Sequence, residues 1–361
     1  MTQPIATPTV DQSVVPYRLV SDLHVARPWI FWTDMLTTAV VGWTAFAVAL
    51  AASPLSITGV TAALASALAL YRGLCFIHEI AHLQREILPG FETAWNLLFG
   101  VPLLLPSFTY VGVHQDHHSL STYGTAADPE YLPFADSRAM IIGFAIQSSL
   151  LIPVLLLIRF LVLAPVGLLW PRAHRWLEAY ASSFSMNPAY RRTVPAPTAR
   201  KMRRWEMVAL AVWLSVFAMI AAGMLPARIL AEWYGVLTLA CFVNTLRVLG
   251  AHEYEADGNA RDRDAQLRDS IDTPGGPWTE LWAPVGLRYH ALHHYFAGIP
   301  YHNLGRAYDR IVHDLALDSR YTESTSRSLW QSLKALYAKA VGRRAARPWS
   351  TPPVHEALRD R

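Results

Sequence analysis

Cysteine is nearly absent from this chain: two among 361 residues, Cys75 and Cys241, each inside an apolar run and far from the other. That excludes a disulfide framework and a CxxC metal site, and leaves intracellular thiols as the default reading. Charge is scarce too, at 16% of residues, where soluble domains carry about 25%. Together with 53% hydrophobic residues, this balance points to lipid and to one membrane unit rather than several soluble domains. The net charge of +4 is modest. No aromatic-interleaved basic stripe or glycine-rich phosphate loop accompanies it, so no nucleic-acid partner is expected. The first thirty residues lack an apolar core behind a basic start, and no cleavable signal peptide is expected.

What is present is apolar sequence in long runs. A helix needs about 20 mostly apolar residues to cross a bilayer. Four stretches qualify, at about 32–52, 57–77, 205–225 and 229–249, and the connections within each pair are too short for anything but hairpins. Two further regions, 95–113 and 139–170, are apolar but interrupted by Pro102, Pro106, Pro153, Arg159 and Pro165. Basic residues crowd the segment from Arg172 to Arg204 and the C-terminal tail, whereas the two hairpin turns carry only Arg228. Positive loops stay in the cytoplasm. All long polar segments then share one side only if 95–113 and 139–170 each enter and leave on it, as interfacial or re-entrant helices bent at their prolines. The alternative, a true span or pair of spans at 139–170, stays open on hydropathy alone.

Fourteen histidines are present, and nine form a pattern. His78 and His82 lie in HEIAH directly after the second run. His114, His117 and His118 lie in HQDHH, and His290, His293 and His294 in HALHH. His252 ends the fourth run. Spacings of three and four put side chains on one helical face, and imidazole is a favoured ligand for iron, copper and zinc. Composition alone predicts roughly 0.02 occurrences of HxxHH in a chain of this length, and there are two. Nine imidazoles exceed the four that one zinc takes, so two metal ions on the cytoplasmic side are the economical reading. The other five, His24, His174, His302, His313 and His355, lack this spacing and read as structural or exposed.

HEIAH also fits HExxH, in which two helical histidines hold zinc and the glutamate is a general base. With Asp257 as a third ligand it would suit an intramembrane zinc protease. That reading leaves both HxxHH boxes and His252 unexplained. A non-enzymatic metal carrier would want ionisable residues along its spans, and Asp34, Arg72, Glu232 and Arg247 lie near the span ends instead.

With HEIAH at 78–82, HQDHH at 114–118, HALHHY at 290–295 and the following PYHNL at 300–304, the chain resembles the membrane fatty acid desaturase superfamily over roughly residues 30–320. The resemblance implies an all-α membrane protein: four transmembrane helices in two hairpins, capped by a cytosolic helical di-iron domain with interfacial helices. It implies a cytosolic segment over 1–30, a membrane-embedded domain over 31–320 and a basic cytosolic tail over 321–361. The box histidines and His252 would hold two iron ions, with dioxygen as co-substrate and no catalytic side chain beyond the ligands. The expected reaction is desaturation of a long acyl chain. Hydroxylation, ketolation and decarboxylation are the alternatives within the superfamily, since the three-residue gap between His78 and His82 is common outside the acyl-CoA desaturases. A bacterial inner membrane is the expected location.

Glu79, Asp116, Glu253, Asp128 and Asp269 are candidates to orient the imidazoles, with Asp116, inside the second box, the best placed. Asn244 and His302 are further candidates near the metals. Tyr110, Phe108 and Trp282 are candidates to line an acyl tunnel. With no haem domain or flavin fingerprint in view, the electrons are expected from a separate donor such as a ferredoxin. That donor would be drawn by Arg172 to Arg204 and by Lys334, Lys339, Arg343, Arg344 and Arg347, unless these only meet anionic lipid headgroups.

Overall fold

Two long antiparallel hairpins carry the molecule in the computed structural model, which describes residues 15–83, 86–315 and 321–342. Residues 1–14 and 343–361, with Arg343, Arg344, Arg347 and His355, lie outside the described residues. Helix α1 (Pro28–Ala51) starts on a proline, where the missing N–H costs nothing. Helix α2 (Ile57–His82) is capped by Ser56, whose hydroxyl accepts from Gly59 N at 3.0 Å. After α3 (Phe91–Trp95) and the short α4 (Val113–His118) comes α5 (Arg138–Leu169), followed by α6 (Pro171–Tyr180). The second hairpin is α7 (Ala196–Ala221) and α8 (Arg228–Leu249). The remaining helices are α9 (Arg263–Asp269), α10 (His290–Tyr295), α11 (Tyr301–Asp314) and α12 (Leu329–Gly342). Among the described residues there is no strand, only isolated bridges.

The region expected as an interfacial or re-entrant element, 95–113, lies in a segment that doubles back on itself. Helix α3 runs into a π turn at Asn96–Gly100, reverses, and leaves through a 3-10 turn at Ser107–Thr109. Irregular backbone survives at membrane depth only if its polar groups are met inside the protein. Here three indoles meet them. Trp43 Nε1 donates to Leu98 O at 2.8 Å, Trp213 Nε1 to Val101 O at 3.4 Å and Trp233 Nε1 to Pro102 O at 2.9 Å, from three different long helices. Asn96 ties the two limbs together, donating to Ser107 Oγ and accepting from Ser107 N, both at 2.8 Å.

This element presses on α2 at Gly73. A Cβ there would sit 1.9 Å from the Phe99 ring, and Gly73 O accepts from Trp95 Nε1 at 2.7 Å. Gly73→Ala is therefore expected to destabilise the fold by about 1–3 kcal/mol, the usual range for forced overpacking. Thermal unfolding in detergent checks this, and an unchanged midpoint would show that the contact is not tight.

Region 139–170 is continuous helix, which its prolines do not interrupt. Helix α5 runs unbroken for 32 residues, so five helices rather than four are long and apolar enough to cross a membrane. Each proline follows a π turn, at Gln147–Leu151 before Pro153 and at Arg159–Leu163 before Pro165. The wider turn accommodates the ring that an α-helical interior would reject. Both parts of α5 are tied to polar partners. Arg138 Nε donates to Tyr337 O at 3.1 Å, while the buried Arg159 pairs with Glu206 on α7 and reaches Ala181 O at 2.5 Å. Outward faces of the long helices expose Val40, Leu64, Leu151, Leu214 and Phe242, as lipid contact requires.

Candidate metal centre

The three boxes lie on helix ends that the fold brings together. His78 and His82 occupy the last turns of α2. The second box enters through Gly112, whose φ of +88° turns the chain into α4; its N–H donates to Gln115 Oε1 at 2.6 Å. Gln115 in turn donates to Ala81 O, clamping α4 against the end of α2. His252 lies just beyond α8 in an extended segment paired antiparallel with residues 269–271. The pairing bonds are Glu253 N to Asp269 O at 2.7 Å and Ile271 N to Ala251 O at 2.8 Å. One residue further, Asp272 accepts from Leu292 N at 3.2 Å and from Tyr321 O–H at 2.6 Å, fixing α10 and the third box.

All nine histidines expected as ligands converge, in two groups. His78, His82, His114, His118 and His293 form one; His117, His252, His290 and His294 form the other. Within each group the ligand atoms lie within 4.8 Å of one another. Helical spacing explains the division of the boxes: His114 and His118 go to one group, and His117, on an adjacent side of α4, goes to the other.

Several Nε2 atoms face one another closely: His118 and His114 at 3.0 Å, His293 and His82 at 3.0 Å, His290 and His252 at 2.8 Å, His294 and His290 at 3.1 Å. Two nitrogens at about 2.1 Å from one ion are about 3.0 Å apart at a right angle and about 3.4 Å apart at the tetrahedral angle. The observed contacts are short enough for neighbouring ligands of one ion. Burial, reinforced by the neighbouring imidazoles, holds His114, His118, His293 and His294 well below the ordinary histidine pKa. Burial does the same for His252 and His290. They are thus neutral and able to ligate. Both ring nitrogens of buried His78 lack a hydrogen-bond partner, as a group awaiting an ion would.

Two carboxylates and two tyrosines fix three of the rings. His117 Nδ1 faces both oxygens of Asp128, at 2.9 and 3.1 Å. His114 Nδ1 meets Glu130 at 2.8 Å and Tyr110 O–H at 2.9 Å. His252 Nδ1 meets the Tyr123 hydroxyl at 2.9 Å, which itself donates to Asp269 at 2.8 Å. Such partners set the tautomer and leave Nε2 for the metal. Burial pushes the Glu130 carboxyl up to about 7.

The other candidates are employed differently. Asp116 accepts from Tyr190 O–H at 2.6 Å and touches no box histidine, a correction to the sequence reading. Two residues beyond His114 on a helix is about 200° away, hence the opposite side. Glu253 likewise pairs with Lys339. Buried Glu79 accepts from Tyr301 N at 3.0 Å, the first N–H of α11, and lies 3.7 Å from His78 Nδ1. His302 is packed edge-on against Phe31 at 5.4 Å, its ring nitrogens unpartnered. Asn244 gives its amide oxygen to Arg247. Asp257 is exposed and bonded to Asn259, so the HExxH set of two histidines and one carboxylate does not assemble.

A cavity of about 150 Å³ reaches the centre at His78, between α2, α5 and α8. Tyr110 lines it, as expected for a tunnel residue. Phe108 instead packs on Phe160, and Trp282 offers its carbonyl to Tyr71 O–H at 2.7 Å. Sequence reasoning missed Glu130 and Tyr123, which sit in the irregular segment 119–133, where no periodicity marks a facing side chain.

A family model described as fatty acid desaturase matches residues 52–325. A ceramide hydroxylase of Caulobacter vibrioides (strain NA1000 / CB15N) is 38% identical over 325 residues, an alignment covering 89% of this chain and 92% of the relative.

Proposed function

This chain belongs to the fatty acid desaturase family, and from that premise we propose that it is a membrane-bound di-iron oxidoreductase that hydroxylates a ceramide or a closely similar amide-linked lipid. The observation that carries the reading is the pair of buried histidine groups, five and four strong, at the end of an apolar cavity. The named relative moves hydroxylation ahead of desaturation, which the sequence reading had placed first. Desaturation of a long acyl chain is the second reading, favoured by the family's own description.

His78, His82, His114, His118 and His293 would hold one iron, and His117, His252, His290 and His294 the other. The irons, once bound and reduced, supply the activation of dioxygen needed to attack an unactivated C–H bond. The chain's own contribution is positioning. Asp128, Glu130 and Tyr123 lock the imidazoles, while the apolar cavity holds one stretch of alkyl chain against His78 and keeps bulk water away. In hydroxylation one oxygen atom enters the C–H bond. The other leaves as water with two electrons and two protons, supplied by a separate donor protein such as a ferredoxin. Exposed Arg172, Arg175, Arg191, Arg200, Arg203 and Arg204 offer an acidic donor a cationic face.

Four crossings, with the centre on the cytoplasmic side, suit this arrangement. His117 and His252 flank α5 through α8 in sequence, yet they belong to one four-histidine group. The chain must therefore return to the same side between them, which α7 and α8 do as a pair if α5 does not change sides.

The test is incubation of iron-loaded protein in lipid nanodiscs with ceramide, dioxygen and a reducing system, followed by mass spectrometry. A product that gains one oxygen supports hydroxylation, and one that loses two hydrogens supports the second reading. Product formed equally by a His294→Ala variant overturns both.

A further inference from the structure

The cavity beside His78 is mostly apolar, yet a cation lines it. Arg247 lies near the end of α8, five positions before His252. Its Nε and Nη2 both donate to Asn244 Oδ1, at 3.2 and 3.0 Å. Among the described residues no carboxylate is within ion-pairing distance of it. Glu130, the acid facing the same cavity, is engaged by His114 and Tyr110. The Arg247 charge is felt by Tyr71, Cys75, Tyr110 and Glu130 around the cavity, and by His252 and His290 of the four-histidine group.

A guanidinium has five N–H donors, and two of them share a single amide oxygen here. A cation near the end of a membrane helix is costly without a close ion pair, and Glu130, across the cavity, is already taken by His114 and Tyr110, so Arg247 has room for a further partner. The partner must reach it through the cavity. At about 150 Å³ the space is smaller than the roughly 300–1,000 Å³ of pockets that enclose whole ligands. It has room for part of a lipid, such as a head and its first carbons, and not for a whole one.

We propose that Arg247, braced by Asn244, donates to an acceptor oxygen in the substrate's polar head and thereby places the reacting carbon within a few bonds of that head. Arg247 is a positioning and specificity residue, and mid-chain oxidation is disfavoured. The inference rests on the lipid-hydroxylase reading. The shared chemistry is a hydrogen-bond acceptor oxygen, either the amide or hydroxyl of a ceramide or the carboxylate of a free fatty acid.

The test compares wild type, Arg247→Gln, Arg247→Lys and Asn244→Ala as iron-loaded proteins. It measures binding of radiolabelled ceramide and of the free acid of equal chain length under argon, then turnover and product position. A hydrogen bond to a charged donor corresponds to about 10–100-fold in affinity. Arg247→Gln is expected to weaken ceramide binding by about that factor and raise KM more than it lowers kcat. It is also expected to spread the new hydroxyl over several positions, while iron content holds. Arg247→Lys and Asn244→Ala should fall between, and they carry the test if the glutamine variant does not fold. Unchanged affinity and position in all three overturn the proposal, as does a loss of iron and unfolding temperature with affinity intact. Tight binding of the free acid alone, abolished by Arg247→Gln, upholds the Arg247 contact and overturns the ceramide reading.

Discussion

Replacing His252 with alanine is expected to reduce bound iron from about two to about one per chain and to bring turnover to background. Three rings then remain in its group, and none stands where His252 Nε2 approaches His290 Nε2 at 2.8 Å. Tyr123 and Asp269 keep their mutual hydrogen bond, so the loss should be local rather than a collapse of the cap. A matched variant sharpens the result. His293→Ala leaves four histidines in the five-member group, as many as a complete zinc site uses. It should retain an ion more weakly instead of losing it. Iron content by elemental analysis, before and after dialysis against a chelator, separates the two cases. Two tightly held irons with normal turnover in His252→Ala would remove His252 from the ligand set. One zinc in the wild type would remove the two-iron reading altogether.

The histidines were readable because helical periodicity turns a spacing into a direction. His78 with His82, His114 with His118 and His290 with His294 each sit one turn apart, and each pair shares a group. His252 had no periodic partner, and only its position at the end of α8 marked it. Residues 119–133 resist such reading, because irregular backbone converts no spacing into a facing direction. Asp128 could be named as a candidate, but Glu130 and Tyr123 could not. The opposite error came from Asp116, where adjacency to the ligands was given weight over helical phase.

The same contrast holds for the membrane part. Residues 95–113 read as interfacial or re-entrant because the basic loops on either side belong in the cytoplasm, with the prolines marking the bends. In α5 the prolines mark breaks in the sequence reading, yet π turns ahead of Pro153 and Pro165 accommodate them and the helix continues. A sequence shows the proline but not the wider turn that accommodates it. Arg247 was legible only as a charge near a span end. Its meaning comes from the cavity it faces.

Asp128→Ala should weaken iron retention at the four-histidine site and lower turnover by about 10–100-fold, the usual effect of losing a partner that orients a ligating histidine. The carboxylate is fully buried. It accepts from Gly124 N and Glu130 N, each at 2.8 Å, besides facing His117 Nδ1 with both oxygens. Burial alone would depress the His117 pKa, but the adjacent Asp128 charge outweighs it and raises it. The two Asp128 contacts hold the Nδ1 proton and point Nε2 to the metal, while the raised pKa means that metal binding must displace a proton from this ring. Alanine frees the ring to turn and orphans two backbone N–H groups, so stability falls as well. Asp128→Asn separates these effects. Its oxygen still accepts a hydrogen bond and its volume is kept, so unfolding temperature should recover more than iron retention does. The iron release rate against a chelator, read beside the unfolding temperature, is the deciding measurement. If the asparagine variant releases iron as slowly as the wild type, shape alone positions His117. If it releases iron quickly at near-normal stability, the charge on Asp128 is what holds the imidazole ready for the metal.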